Sequence, residues 1–244
     1  MPLPVPARPS VRSVVGSLLF LTLVTAPLGA GCGESADEPA AAVAADSVAL
    51  QGAAAAACPA GMVAFADFCM DRFEAPNQAG LPPLAMRSAT DGVAFCAALG
   101  KRLCSEAEWV TACKGPAGLP YPYGTTYKRS RCNDDKTWKV PSWTVLGTWP
   151  SAAAQAEAKR LYQADPSGSR SGCVSADGVQ DLTGNVAEWV VRSFPNSHNY
   201  DHVMKGCYWS GCYGGSPPSC SFVNPAHPGT FRTYEAGFRC CLTR

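Results

Sequence analysis

The chain has 244 residues, with 20 Lys plus Arg against 19 Asp plus Glu and a formal net charge of +1, a balance that excludes a strongly basic nucleic-acid binder. Its 23 Gly and 21 Pro predict many turns and little regular helix, which excludes a long helical bundle. The 13 cysteines contain no two C-x2-C pairs of zinc-ribbon spacing, and a load this heavy points to an oxidising compartment outside the cytosol.

At the N-terminus, Arg8 and Arg12 precede an uncharged apolar run from Val14 to Ala26. That run is too short for a mature membrane helix and suits the hydrophobic core of a secretory signal. Leu28-Gly29-Ala30-Gly31-Cys32 follows and resembles a bacterial lipoprotein cleavage box, so residues 1–32 are read as a signal peptide with Cys32 as the lipidation candidate. A secreted protein cut nearby, with an incidental Cys32, is the alternative. Removing Cys32 leaves an even twelve cysteines, which favours lipidation. Residues 33–57 are rich in Ala, carry Glu34, Asp37, Glu38 and Asp46 and have no Lys or Arg, which reads as a tether. An alanine-rich helix competes with that reading and is weakened by Pro39 and Gly52. The folded domain is expected over 58–244.

Within it, a first helix is predicted from about Asp91 to Leu99, with Val93, Cys96 and Ala97 on the buried face and Gly100 as its stop. A second is predicted from the Ser105/Glu108 capping-box spacing to Lys114-Gly115, placing Trp109 and Cys113 on one face. Leu119-Pro120-Tyr121-Pro122-Tyr123-Gly124 and Gly214-Gly215-Ser216-Pro217-Pro218 imply loops and short strands. The segment holding His198 and His202 reads as solvated loop. His227 has no assigned role. The predicted class is α+β with much irregular structure.

Gly100-Lys101-Arg102-Leu103, Glu106-Ala107-Glu108-Trp109, Tyr121-Pro122-Tyr123-Gly124, Thr183-Gly184-Asn185-Val186-Ala187-Glu188-Trp189 and Gly237-Phe238-Arg239-Cys240 occur in this order. Together they resemble the formylglycine-generating enzyme, or sulfatase-modifying factor, family over about 58–241. The resemblance implies an irregular, disulfide-stapled α+β fold related to C-type lectins. Its enzymes oxidise a sulfatase cysteine to formylglycine with oxygen and copper, and other relatives have other roles. Membership by itself does not assign an activity.

Carried over position by position, the family's staples would be Cys96–Cys240 and Cys113–Cys220. Cys241 is an alternative partner in place of Cys240, and Cys58–Cys69 is suggested by proximity alone. The family's calcium positions match Asp181, Gly184, Val186 and Glu188, through two side chains and two carbonyls. Oxygen donors of that kind suit a hard cation. The plain alternative is a turn capped by Asp181 with Glu188 solvated. Asn133 and the Asp134 carbonyl resemble the start of a second calcium site.

Copper(I) prefers thiolates, which the family supplies as C-x4-C. Counted back from Cys220, Ser210 and Gly215 occupy those two places. Cys207 and Cys212 have the spacing but sit three residues early, so they remain the candidates for catalysis and are also read as a disulfide. Ala187 replaces a bulky Trp common at the family's cleft. Copper is therefore not expected.

Two functions follow from this reading. One is an extracytoplasmic, lipid-anchored, non-oxidase binding module in a bacterial cell envelope, or a secreted one. It would recognise an envelope or extracellular protein or ligand, touch the membrane only through its anchor and bind no nucleic acid. The alternative is a copper-dependent oxidase acting on a sulfatase cysteine.

Overall fold

The computed structural model describes residues 57–244. The signal segment 1–32, its Cys32 and the tether up to residue 56 lie outside the described residues. The architecture is mixed α/β, built on two four-stranded sheets. Among the described residues no helix is long and apolar enough to cross a membrane.

The first sheet ties the two ends of the domain together. β1 (Met62–Ala64) and β2 (Phe68–Asp71) form a hairpin, and the C-terminal β8 (Cys240–Thr243) pairs antiparallel with the free edge of β2, with β3 (Arg102–Leu103) outside it. Every residue of β2 is buried, as suits a strand flanked on both edges. The second sheet has the order β6 (Val223–Asn224), β5 (His202–Lys205), β4 (Ala187–Val191), β7 (Ala236–Phe238). The β4–β7 pair is parallel and sets Glu188 opposite Gly237 and Trp189 opposite Phe238. Gly237 is required there: a Cβ would stand 2.3 Å from the Leu84 carbonyl oxygen.

Helix α1 (Ala89–Ala98) opens on a reciprocal capping box between Ser88 and Asp91, and α2 (Glu106–Lys114) on one between Ser105 and Glu108. α1 thus starts before Asp91, and its buried residues are Ala89, Gly92 and Cys96, whereas Val93 is 44% exposed and Ala97 is also exposed. The physical reason is close packing. A Cβ on Gly92 would lie 3.0 Å from both Leu103 and the Phe238 ring, so the bare face of the helix, not its branched residue, meets the strands. On α2, Trp109 and Cys113 are buried together.

Two further helices, not predicted from the sequence, are the short α3 (Trp143–Leu146) and α4 (Ala152–Leu161). α4 is capped by Ser151, whose hydroxyl accepts from the Ala154 N–H at 3.2 Å, and it buries only Ala154 and Leu161. So small a buried face leaves little apolar periodicity to read. His202 also departs from the loop reading: it opens β5 half-buried, and burial lowers its pKa.

All twelve described cysteines are joined in six disulfides: Cys58–Cys69, Cys96–Cys240, Cys104–Cys241, Cys113–Cys220, Cys132–Cys173 and Cys207–Cys212. Successive strand residues point to opposite faces, so neighbouring Cys240 and Cys241 reach different partners, Cys240 on α1 and Cys241 at Cys104.

Candidate functional site

Two adjoining clusters are built on the turn that leads into β4 and on the loop that leaves β5. The turn places Asp181, Gly184 and Asn185 at φ values of 59°, 76° and 59°. At Gly184 a Cβ would stand 2.4 Å from the Asn133 carbonyl oxygen, so a side chain there would push the two segments apart. The close approach is fixed by hydrogen bonds from the Gly184 N–H to the Gly206 carbonyl and from the Asn185 N–H to the Asn133 carbonyl, both 2.7 Å.

The Asn185 side chain is the hub of this cluster. Its carbonyl oxygen accepts from the Asn133 amide at 3.0 Å and the Asp165 N–H at 2.8 Å, while its own amide donates to Glu74 Oε1 at 2.9 Å. The structure therefore brings Asn133 beside the Asp181–Glu188 turn, although 48 residues separate Asn133 from Asp181.

Glu188 is fully buried, not solvated, and its counter-charge is Arg239, delivered by the parallel β4–β7 register. Arg239 Nη2 donates to Glu188 Oε1 at 2.6 Å and Nε to Oε2 at 2.7 Å, while Trp109 Nε1 adds a bond to Oε2 at 3.0 Å. The remaining guanidinium donors go to the carbonyls of Asp71, Arg72 and Gln180 at 3.0–3.2 Å.

Glu74 and Asp181 complete the charge set. Burial, reinforced by the Asp181 charge, pushes the Glu74 carboxyl well above the ordinary range. Burial pushes Asp181 up to about 6, against a 2.7 Å bond from the Gly168 N–H. Three buried carboxyl groups thus share one guanidinium, and the raised pKa values of Glu74 and Asp181 show how poorly one cation balances three charges.

The surplus of buried carboxyl oxygens is the donor type that would suit a hard cation such as calcium at Asp181, with Gly184 and Val186 on the same turn. Among the described residues no three His, Cys, Asp or Glu side chains converge as a metal cage, so such an ion would rely on carbonyls as well as carboxylates, and it would share Glu188 with Arg239.

The second cluster surrounds the disulfide-closed loop from Cys207 to Cys212. Tyr208 and Gly211 exchange backbone hydrogen bonds across it, and buried Trp209 anchors it by donating its N–H to the Asn185 carbonyl at 3.0 Å and accepting from the Lys136 N–H at 2.8 Å. The anchored loop holds Ser210 against a polar cavity of about 210 Å³, shared with Tyr127, Asp134, Cys212, Gly215 and Pro217. Asp134 is 5% exposed, and neither of its carboxylate oxygens receives a hydrogen bond of good geometry, although the Tyr127 hydroxyl and the Ser130 N–H face it; the Ser210 hydroxyl is also unpartnered. Burial accordingly holds the Asp134 carboxyl up at about 6, with Tyr127 pulling only partly against it.

At this cleft Ser210 and Gly215 present a hydroxyl and bare backbone, while Cys207 and Cys212 are bonded to each other. That donor set does not fit copper(I), which requires thiolates. The histidines lie elsewhere: His198 stacks on Tyr200, and His227 stacks on Phe231 in an apolar groove that also holds Glu235.

Sequence reasoning missed three participants. Asn185 and Arg239 stand in motifs that were legible but had no role assigned, and Glu74 had no local signal. Asn185 and Glu74 are 111 residues apart and Arg239 and Glu188 are 51 apart, so only the fold pairs them.

Residues 44–244 match the family model described as the sulfatase-modifying factor enzyme 1-like domain. Among curated proteins, the inactive C-alpha-formylglycine-generating enzyme 2 of Bos taurus is 28% identical over 167 residues, covering 65% of this chain and 49% of its own length. Its Mus musculus counterpart is 27% identical over 167 residues, covering 65% and 48%. The chain spans about half the length of these relatives. Among solved structures, CarF superposes with a TM-score of 0.50 at 16% identity, covering 72% of this chain and 86% of CarF, a likeness of fold. PvdO from Pseudomonas aeruginosa gives 0.47 at 18% identity, covering 72% and 80%.

Proposed function

We propose that this chain, which belongs to the sulfatase-modifying factor family, is a non-oxidase member: a disulfide-stapled binding module, held outside the cytosol through a lipid on Cys32, with its ligand cleft at the Cys207–Cys212 loop. We read its irregular fold as related to that of C-type lectins. The observation that carries the proposal is the pairing of all twelve described cysteines, which leaves no described thiol for copper(I). The curated relatives whose names call them inactive support the same reading.

The test is incubation of the purified protein with a sulfatase-type cysteine peptide, copper and reductant, followed by mass analysis. The expected result is no loss of the peptide thiol. A second reading, oxidase chemistry at a shifted site, draws on Cys212 lining the same cavity as Ser210 and Gly215. Turnover abolished by Cys207→Ser and by Cys212→Ser would establish it. Acylation at Cys32 is checked separately by incorporation of labelled fatty acid, which Cys32→Ala should abolish.

Calcium at Asp181, the Gly184 and Val186 carbonyls and Glu188 is the cofactor proposed for this module, with Asn133 and the Asp134 carbonyl as a second position. The support is the excess of buried carboxyl groups over guanidinium. An ion that binds only the folded state stabilises it by mass action, so calcium at 100 times its Kd adds about 2.7 kcal/mol. Melting with calcium should exceed melting with chelator, and Asp181→Ala should erase the difference. Identical curves would leave Arg239 as the counter-ion of the cluster.

A further inference from the structure

We infer that the cavity formed by Asp134, Ser210 and Tyr127 is a receptor for a primary ammonium group, such as the end of a lysine side chain. This deepens the binding-module reading and rests on it. Asp134 offers two buried carboxylate oxygens without a well-formed hydrogen bond, only the Tyr127 hydroxyl and the Ser130 N–H facing them, and Ser210 offers a buried hydroxyl oxygen without a partner. Both line the same cavity of about 210 Å³, yet neither satisfies the other.

Burying a carboxylate without hydrogen bonds is costly, and such orphaned groups are rare enough in native proteins to need an explanation. Water is one candidate occupant, but its share of liquid volume is about 30 Å³, and the space is several times larger. An ammonium carries three N–H donors and no acceptor, which matches three unpartnered acceptors. A guanidinium carries five donors and would leave some unmatched. Tyr127 adds an aromatic ring beside the cationic position, while Pro217, Pro218 and the Cys207–Cys212 bridge supply apolar walls for a methylene stem. Calcium needs six to eight oxygens, and the lining side chains include one carboxylate.

The loop that carries Ser210 is braced for this role. Cys207–Cys212 closes it, and the Trp209 backbone bonds tie it to Asn185 and Lys136, so Ser210 is held relative to Asp134 before any ligand arrives. Such preorganisation lowers the ordering cost of binding.

The test uses the full chain with its disulfides intact, titrated calorimetrically with Nα-acetyl-lysine methylamide, n-butylammonium, the neutral Nα,Nε-diacetyl-lysine methylamide and calcium chloride. Both ammonium probes should bind saturably, the diacetylated control should bind at least tenfold more weakly, and Asp134→Asn should cost at least tenfold. Tighter binding of the lysine derivative than of n-butylammonium supports a lysine side chain as the source, and equal binding supports a free amine. Asp134→Asn should also melt at or above the wild-type temperature, because it removes an unpaired buried charge. Ser210→Ala, which removes the third acceptor, should weaken both ammonium probes severalfold with unchanged melting.

Equal binding of the diacetylated probe, full affinity in Asp134→Asn and Ser210→Ala, binding of calcium alone, or silence of both ammonium probes would each overturn the assignment. Peptide oxidation in the thiol assay would instead overturn the non-oxidase reading. The two failures are thus read from different experiments.

Discussion

Arg239 spends each of its guanidinium nitrogens on a buried partner: the two Glu188 oxygens and the carbonyls of Asp71, Arg72 and Gln180. Breaking such a pair on one side leaves an uncompensated charge in the interior, which typically costs about 3–5 kcal/mol. Arg239→Met should fall in that range by denaturant titration, and Glu188→Gln combined with it should cost less than the two single changes summed. A loss under about 1 kcal/mol for Arg239→Met would show the cluster to be held by other contacts.

Lys205 is a second buried charge, 3.6 Å from Glu106 and above the Trp109 ring. Burial lowers its pKa to about 8, with Glu106 pulling the other way. In the unfolded chain a lysine keeps its proton to about pH 10.4, so between these values the unfolded state binds more protons and stability rises with pH. The contribution is present in full above the unfolded pKa and is lost as pH falls through about 8. Lys205→Met should remove a slope of up to about 1.4 kcal/mol per pH unit from the curve of unfolding free energy between pH 8 and 10. Parallel curves for the two proteins would contradict this.

Helix starts were the most legible elements, because a capping box is a local device. Ser105 and Glu108 announced α2 directly. The same device at Ser88 and Asp91 explains why α1 begins at Ala89, while its buried face depends on how closely Gly92 approaches Phe238, a tertiary fact. Ser88→Ala and Ser105→Ala should each cost about 1 kcal/mol in thermal or denaturant unfolding. Ser142→Ala is the matched control: Ser142 precedes α3 but makes no side-chain cap, so its loss should be near neutral. A cost for Ser142→Ala equal to that for Ser88→Ala would argue that capping is not the cause. The four residues of β5 escaped notice for a related reason, since their burial comes from β4 and β6 on either side.

At the scale of the molecule, a domain with few long elements is cross-linked through contacts far apart in sequence. Cys96–Cys240 spans 144 residues, Cys104–Cys241 spans 137 and Cys113–Cys220 spans 107, whereas Cys207–Cys212 spans 5. In the chain-entropy model a staple closing a loop of that greater length contributes about 5 kcal/mol, and the short one about 2. Replacing Cys96 and Cys240 together by Ser should therefore lower stability more than replacing Cys207 and Cys212. Peptide mapping without reduction checks the connectivity, and the opposite order of stabilities would indicate that the Ser210 loop, not the long staples, limits unfolding.

The sequence alone determined the family, the mixed α/β character, the oxidising compartment implied by the cysteine load and the second helix. Those features are carried by residue type, count and local spacing. Tertiary structure decided that Arg239 neutralises Glu188, that Asn185 links Glu74 to Asn133, and that Asp134 and Ser210 share one cavity with their polar atoms unpartnered. These pairings depend on a parallel strand register and on turns tight enough to require Gly184, and neither leaves a periodic trace along the chain.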